Sequence, residues 1–294
     1  MLSDRPEWER EGRDWPNREA SRFVTVGRLR WHVQVAGEGP VLLLLHGTGA
    51  ATHSWRSLLP LLAERFTVVA PDLPGHGFTS GRPPGGLSMT AMARAVSELL
   101  GALTVTPRLI IGHSAGVAVA VRMTLDGLAT PTGIIGLNSA LMPFPGIAAR
   151  LFPTLARMLF VNPFAPHIFA GIARQQGEVG GFLKRSTGSR IDADGANLYQ
   201  RLFATPAHCA GAITMMADWD LDSLNRDLPK LAVPLLLVHG ESDAMIPPSS
   251  ARDAAALVPG ARVETLAGLG HLAHEEAPEQ VAALIERFVA AGVA

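Results

Sequence analysis

The sequence predicts an α/β protein: a mostly parallel sheet with helices on both faces and a helical lid inserted after the sixth strand. Three observations predict it. Apolar runs of strand length alternate with longer stretches of helical spacing, the order that builds parallel sheets through crossover helices. Val41 to Leu45 is apolar without alternation, as a central strand covered on both faces must be. From Met142 to about Thr205 the strand signal disappears, and Pro-, Phe-, Met- and Arg-bearing helical pieces replace it.

Residues 1–21, with Trp8, Trp15, Pro16 and many charges, are too polar to build core; they read either as an arm docking through two indoles or as a mobile tail. Arg22 to Val26 and Leu29 to Val35 flank Gly27 as a hairpin, with Leu29, Trp31, Val33 and Val35 alternating. Then follow strand Val41 to Leu45, helical Trp55 to Ala63, strand Phe66 to Ala70 and a long turn, Pro71 to Gly77. Leu87 to Leu103 is a helix, Leu109 to Ile111 a strand, Ala115 to Leu128 a helix and Gly133 to Leu137 a strand. Within the lid, residues 142–205, the candidate helices are Ile147 to Phe160, Pro166 to Gln176 and Ala193 to Phe203, separated by Pro163, Gly180-Gly181 and Gly188. Helix Pro206 to Trp219, strand Pro234 to Val238, helix Ser249 to Val258, strand Arg262 to Leu266 and helix Pro278 to Ala290 complete the core. The core is thus expected to comprise 22–141 and 206–294.

Composition excludes several classes. The chain has 294 residues, 48% of them hydrophobic, enough for a sizeable core and too apolar for disorder. Its 25 basic and 26 acidic residues give a net charge of −1, no field to recruit nucleic acid. A single cysteine, Cys209, excludes an internal disulfide and suits a reducing compartment, so a cytoplasmic location is expected. No apolar run reaches the roughly 18 residues of a membrane span, and none resembles a signal peptide. No H-E-x-x-H, Walker or dinucleotide fingerprint occurs, so neither a metal nor another cofactor is expected.

The chemistry centres on Gly112-His113-Ser114-Ala115-Gly116. A strand enters this G-x-S-x-G and a helix leaves it; small residues at 112 and 116 let the backbone fold sharply beneath the serine. Ser114 then sits at a helix N-terminus, where free N–H groups and the positive dipole end favour an oxyanion. A plain strand-to-helix turn of a nucleotide-binding fold is the competing reading.

A serine hydroxyl needs a base, and the base needs a partner that fixes its tautomer. Asp243 and His271 each follow a predicted strand, in loops at the sheet edge where Ser114 lies, and such edges gather the active sites of parallel sheets. Asp218, Asp220 and Asp222 are rivals to Asp243 by residue type, but none follows a strand. Asn138 and Ser139 occupy the other edge position that could carry the acid, and neither is a carboxylate. His274 is the rival base. Thr48, after the Val41 to Leu45 strand, and Ala115 are the expected oxyanion N–H donors, with Gly49 as an alternative and the Thr48 hydroxyl as a further donor. His46, His76 and His113 are read as braces of glycine turns. Trp55, His113, Phe144 and Phe164 are candidate substrate-pocket residues, and Phe144, Phe152, Phe160, Phe164 and Phe169 are expected to pack above Ser114.

Through His46-Gly47, Asp72 to Gly77, Gly112 to Gly116, Asp243 and Gly270-His271 the chain after the arm resembles the α/β-hydrolase superfamily, which implies that fold and a Ser-Asp-His order of catalytic residues. More narrowly, Arg13 to Ser21, His46 to Trp55, Thr187 to Asp192 and Met215 to Asp220 resemble the magnesium-chelatase accessory family of bacteriochlorophyll biosynthesis, the BchO family. That resemblance implies a place beside magnesium insertion into protoporphyrin IX, with magnesium chelatase as a partner. The substrate is then a small ester-like molecule or a tetrapyrrole, and Arg150, Arg157, Arg174, Lys184, Arg185 and Arg190 are candidates to meet tetrapyrrole propionates. Two functions stand open: a serine hydrolase acting on an ester, thioester or amide, and a porphyrin- or partner-binding accessory without turnover.

Overall fold

The computed structural model describes residues 3–143 and 162–291. Its eight strands are β1 (Ser21–Val26), β2 (Leu29–Ala36), β3 (Val41–Leu45), β4 (Thr67–Pro71), β5 (Leu109–His113), β6 (Gly133–Leu137), β7 (Leu235–Gly240) and β8 (Arg262–Leu266). They form one sheet in the order β1-β2-β4-β3-β5-β6-β7-β8. β1, β2 and β4 pair antiparallel, with the hairpin closing from Val26 to Leu29 around Gly27 at φ +56°. Every other pair is parallel. The mostly parallel sheet is as the alternation of strand and helix predicts.

The central strands are buried on both faces, and their period of two divides the core. Leu43 and Leu45 of β3, Ile110 of β5, Ile134 of β6 and Leu237 of β7 point to one side. There they meet α3 (Met89–Leu103) and α4 (Ala115–Leu125), the latter through Val117 and Val121. Leu42, Leu44, Ile111, Ile135 and Val238 point to the other side, against α2 (Leu58–Ala63) and the closing helix (Pro278–Ala290). Alternating side-chain direction therefore turns an unpatterned apolar run into two cores. At α4 the approach is close: a Cβ on Gly116 would lie 2.1 Å from the Leu45 carbonyl oxygen, so glycine is what lets the helix sit on β3.

Between β6 and β7 lie α5 (Ala165–Ala173), α6 (Glu178–Thr187), α7 (Ala193–Phe203), α8 (Pro206–Ala217) and α9 (Leu221–Asp227), followed after β7 by α10 (Ser249–Leu257), the single turn α11 (Ala273–Glu276) and α12 (Pro278–Ala290). The expected helix Ile147 to Phe160 lies outside the described residues. Gly180 and Gly181, expected to separate helices, instead lie inside α6. Val179, Leu183 and Thr187 occupy one buried face of α6, beside Ala173 and Tyr199. That burial outweighs a propensity cost of about 1 kcal/mol per glycine. α9 and α11 are short elements with no periodic signal of their own.

The arm, which carries α1 (Trp8–Glu11), docks through its indoles. Trp15 is 2% exposed, and its Nε1–H donates to Thr52 Oγ1 at 2.9 Å. Trp8 lies against His32, Phe23 and Phe78 with ring centroids 4.9 to 5.4 Å away. His32 in turn bonds Asp72 through Nδ1 at 2.8 Å. Asp72 also accepts from the N–H groups of Thr52 and Phe78, and its carboxylate pKa falls despite the opposing effect of burial.

Of the ten histidines, only His167 is exposed. Burial lowers the pKa of His53, His76 and His274 well below the ordinary value, and brings His208 to about 4. Such a group takes up a proton in the unfolded chain more readily than in the folded one, so stability falls as pH falls. The Tm is expected to drop steeply from pH 6.5 toward the value of about 4 at His208, in scanning calorimetry across that window. A flat Tm there would contradict buried neutral imidazoles. Gly116→Ala is expected to cost more than about 3 kcal/mol, because its methyl meets backbone rather than a movable side chain, and urea unfolding measures this directly.

Candidate active site

Ser114 is the residue preceding α4, with φ 50° and ψ −117°. For a residue bearing a Cβ this is strained backbone, typically by about 1–3 kcal/mol. The surroundings impose it. The Ser114 N–H donates to Leu137 O at the end of β6 at 2.9 Å, and the Ser114 carbonyl accepts from Ala140 N–H at 3.2 Å. A Cβ on Gly112 would stand 2.5 Å from Val117 N, so the strand can double back onto the helix only with glycine there. This geometry matches the elbow expected from the sequence.

The loops after β7 and β8 bring an acid and an imidazole to the same sheet edge, where His113, next to Ser114, bonds the His271 carbonyl. His271 Nδ1–H donates to Asp243 Oδ2 at 2.8 Å, which leaves Nε2 with its lone pair. Asp243 accepts three further bonds, from Met245 N–H (2.8 Å) and Ile246 N–H (2.9 Å) on Oδ1 and from Asn138 Nδ2 (2.8 Å) on Oδ2. Burial pushes the Asp243 pKa up, but the His271 bond and charge, the Ile246 N–H and the Asn138 amide together bring it below its ordinary value. The acid is therefore a carboxylate at neutral pH. Among the described residues no hydrogen bond joins Ser114 Oγ to His271 Nε2; catalytic contacts commonly tighten only when substrate is bound.

The rival histidine has another occupation. His274 Nε2–H donates to Ser54 Oγ at 2.7 Å, since Ser54 spends its own proton on Glu275 Oε1 at 2.9 Å. Glu275 is buried with the Arg56 guanidinium and the Tyr199 hydroxyl, the latter at 2.7 Å. Its pKa is raised by burial against these partners. His113 does not brace its own glycine turn; its Nε2–H reaches the His271 carbonyl at 3.0 Å, and burial holds its pKa down at about 3. His46 and His76 do brace turns, through Gly47 O and Pro74 O.

Two backbone donors in the segments flanking Ser114 are free. Ala115 N–H and Thr48 N–H have no acceptor among the described residues. Gly47 lets the β3 loop come this near, for a Cβ there would lie 3.0 Å from Ser114 Cβ. The Thr48 hydroxyl is turned away to Met215 Sδ at 3.4 Å and is not a further donor to the elbow.

The candidate pocket residues separate. Trp55 is fully buried, 4.7 Å from the His274 ring, and packs in the sheet core rather than lining open space. Phe164 is 70% exposed and Phe169 43% exposed. Phe144, Phe152 and Phe160, with Arg150 and Arg157, lie outside the described residues. Phe203, which carries no signal in the sequence, stands over the loop after β3, its ring 2.8 Å from where a Cβ on Gly49 would be. Asn138 carries no carboxylate, yet as a donor to Asp243 it belongs to the site, and its φ of +47° beyond β6 is the local mark of a tied strand end. Cavities of about 310 and 460 Å³ border the arm, and neither is lined by Ser114, Asp243 or His271. Among the described residues no group of His, Cys, Asp and Glu is spaced to hold a metal, and no helix is long and apolar enough to cross a membrane.

Comparison with known proteins agrees with this architecture. The chain is 40% identical over 275 residues to the magnesium-chelatase 30 kDa subunit of Rhodobacter capsulatus, covering 92% of this chain and 95% of that one. It is 30% identical over 264 residues to a pimeloyl-[acyl-carrier protein] methyl ester esterase of Aromatoleum aromaticum, covering 85% and 98%. Among solved structures, the epoxide hydrolase CorEH superposes with a TM-score of 0.77 at 24% identity, covering 92% of this chain and 98% of that one. A thermophilic esterase from Thermogutta terrifontis does so with 0.72 at 22%, covering 91% and 98%. At those identities the likeness is one of fold. The alpha/beta hydrolase family profile matches residues 42–284, the span that runs from β3 through β8 and contains the elbow and the Asp243–His271 pair, and the chain belongs to that family.

Proposed function

We propose that the protein is a serine hydrolase acting on an ester, thioester or amide through an acyl-enzyme. The observation that carries this reading is the Asp243–His271 bond, made by a carboxylate that stays ionised, beside a serine held in a strained elbow. In the mechanism, Ser114 Oγ attacks the carbonyl carbon as its proton passes to His271 Nε2, and Asp243 stabilises the imidazolium through Nδ1–H. The tetrahedral oxyanion is met by the N–H groups of Thr48 and Ala115 at the positive end of α4. Collapse expels the leaving group, which takes the proton from Nε2. Water then attacks the acyl-enzyme by the same route and restores Ser114.

The 40% likeness to a protein called a magnesium-chelatase subunit supports placing this hydrolase as an accessory to that enzyme, with a tetrapyrrole or a small ester as its substrate. The same likeness favours a second reading, in which a hydrolase fold binds a porphyrin or a partner without turnover. A fluorophosphonate probe separates the two. Labelling of the wild type and its loss in Ser114→Ala is expected; no labelling of a folded wild type would leave the binding reading. His271→Ala is expected to lower turnover of an activated ester at least about 10³-fold, measured as kcat/KM. Because the Thr48 hydroxyl faces Met215, Thr48→Val is expected to change kcat/KM less than about threefold; a loss near 10² would put that hydroxyl in the oxyanion hole.

A further inference from the structure

The segment Thr187-Gly188-Ser189 ends α6 in the lid, yet the Thr187 carbonyl and the Ser189 hydroxyl are spent on the loops that carry Asp243 and His271. The Thr187 carbonyl accepts from His271 N–H at 2.9 Å and from Ala244 N–H at 3.3 Å, so one oxygen binds the backbone of the base and of the residue after the acid. Ser189 Oγ accepts from Leu272 N–H at 2.8 Å. Glu276 closes the arrangement, accepting from Gly270 N–H at 2.8 Å and from Arg190 N–H at 2.9 Å. Thr187 and Ser189 are each 2% exposed, so water does not substitute for these bonds.

The backbone around the segment leaves no slack. Gly188 has φ +70°, and a Cβ on it would stand 2.2 Å from the Ser242 carbonyl oxygen. A Cβ on Gly270 would meet Ser189 Oγ at 2.5 Å. The segment is held from its own side too: Thr187 Oγ1 donates to Leu183 O at 2.6 Å, one turn back in α6, and accepts from Ser189 N–H at 3.1 Å.

We propose that Thr187-Gly188-Ser189 is a positioning clamp through which the lid sets the geometry of the Asp243–His271 pair. This rests on the reading of that pair as the hydrolase's acid and base. The two loops leave neighbouring strands and are joined there by Ser242 N–H to Leu269 O at 2.8 Å and by the Asn138 amide, which bonds Asp243 Oδ2 and the Gly270 carbonyl; the Thr187 carbonyl adds a tie to the N–H of the base itself. A carbonyl shared between them fixes one relative to the other at the sub-ångström tolerance such pairs require. Displacement of α6 then breaks bonds to His271 and Leu272 directly, so lid position and strength of the base are coupled. Thr187 and Ser189 touch no reacting atom; they are positioning residues.

The test compares Ser189→Ala with Ser97→Ala, which loses a part-buried hydroxyl bond from α3 to Leu128 O that touches neither the Asp243 nor the His271 loop. Two readouts serve: the rate of Ser114 labelling by a fluorophosphonate across pH, and the downfield proton resonance of His271 Nδ1–H, identified by its loss in His271→Ala. Ser189→Ala is expected to slow labelling about tenfold. A weaker bond to Asp243 stabilises the imidazolium less, so the acid limb should move to lower pH and the resonance should shift. Ser97→Ala should leave both readouts unchanged. Should Ser189→Ala fold poorly by circular dichroism, Glu276→Gln weakens the same clamp from its less buried end and should act in the same direction. A variant that lowers the Tm while leaving labelling, acid limb and resonance unchanged overturns the proposal. If the wild type is not labelled, the hydrolase reading falls by itself. The resonance still decides the clamp: a shift in Ser189→Ala upholds it and an unmoved signal overturns it.

Discussion

The buried charge on Asp243 is the constraint around which the C-terminal edge of the sheet is arranged. Taking a carboxylate out of water costs several kcal/mol unless its lone pairs are met. Here four donors meet them: two backbone N–H groups of its own loop, the Asn138 amide from beyond β6 and His271 from beyond β8. Three strand ends are thereby tied to one charge. Asn138 also bonds the Gly270 carbonyl, and its own N–H donates to Val238 O, so the loop before the imidazole is held from β6 and β7 together. Charge-assisted bonds of this kind are about twice as strong as neutral ones and narrow in geometry. The carboxylate both stabilises its neighbours and orients His271.

A second buried carboxylate, Glu275, performs a related task four residues on. It draws Arg56 and Ser54 from the segment after β3 and Tyr199 from α7 onto the turn that follows His271. Arg56 also reaches Asp192, which caps α7. The raised pKa of Glu275 shows that burial is not fully offset by these partners, whereas at Asp243 it is. The lid is thus attached to the core by charge as well as by apolar contact, and both attachments converge on the stretch from Gly270 to Glu276. His274, one turn from the catalytic candidate, is fixed here as a neutral imidazole.

Close backbone approach is the third element. Gly112 and Gly116 allow strand and helix to fold onto each other, and Gly47 brings the β3 loop against Ser114. Each is a place where any side chain would meet backbone or a ring. The strain at Ser114 persists because bonds to Leu137 and Ala140 on either side of the residue over-determine its conformation.

The sequence by itself determined the strand-and-helix order, the elbow, and the acid and imidazole at strand ends, because these rest on local signals. Apolar runs, glycine spacing and residues just beyond a strand are readable without knowing what lies across the molecule. The tertiary structure alone brought the Asn138 amide to Asp243, 105 residues away in the chain. The turn Gly268 to His271 favours His271 over His274 in the sequence, and the structure adds their partners: Asp243 for His271 and Ser54 for His274. The structure turned Gly180-Gly181 from a break into helix, because the burial of Val179 and Leu183 is a non-local energy that propensity does not contain. It also moved Trp55 from pocket wall to core and drew Thr187 and Ser189 from the lid to the imidazole loop. Hydrogen bonds between segments distant in sequence leave no period or motif in the chain, and these are the interactions that position the site.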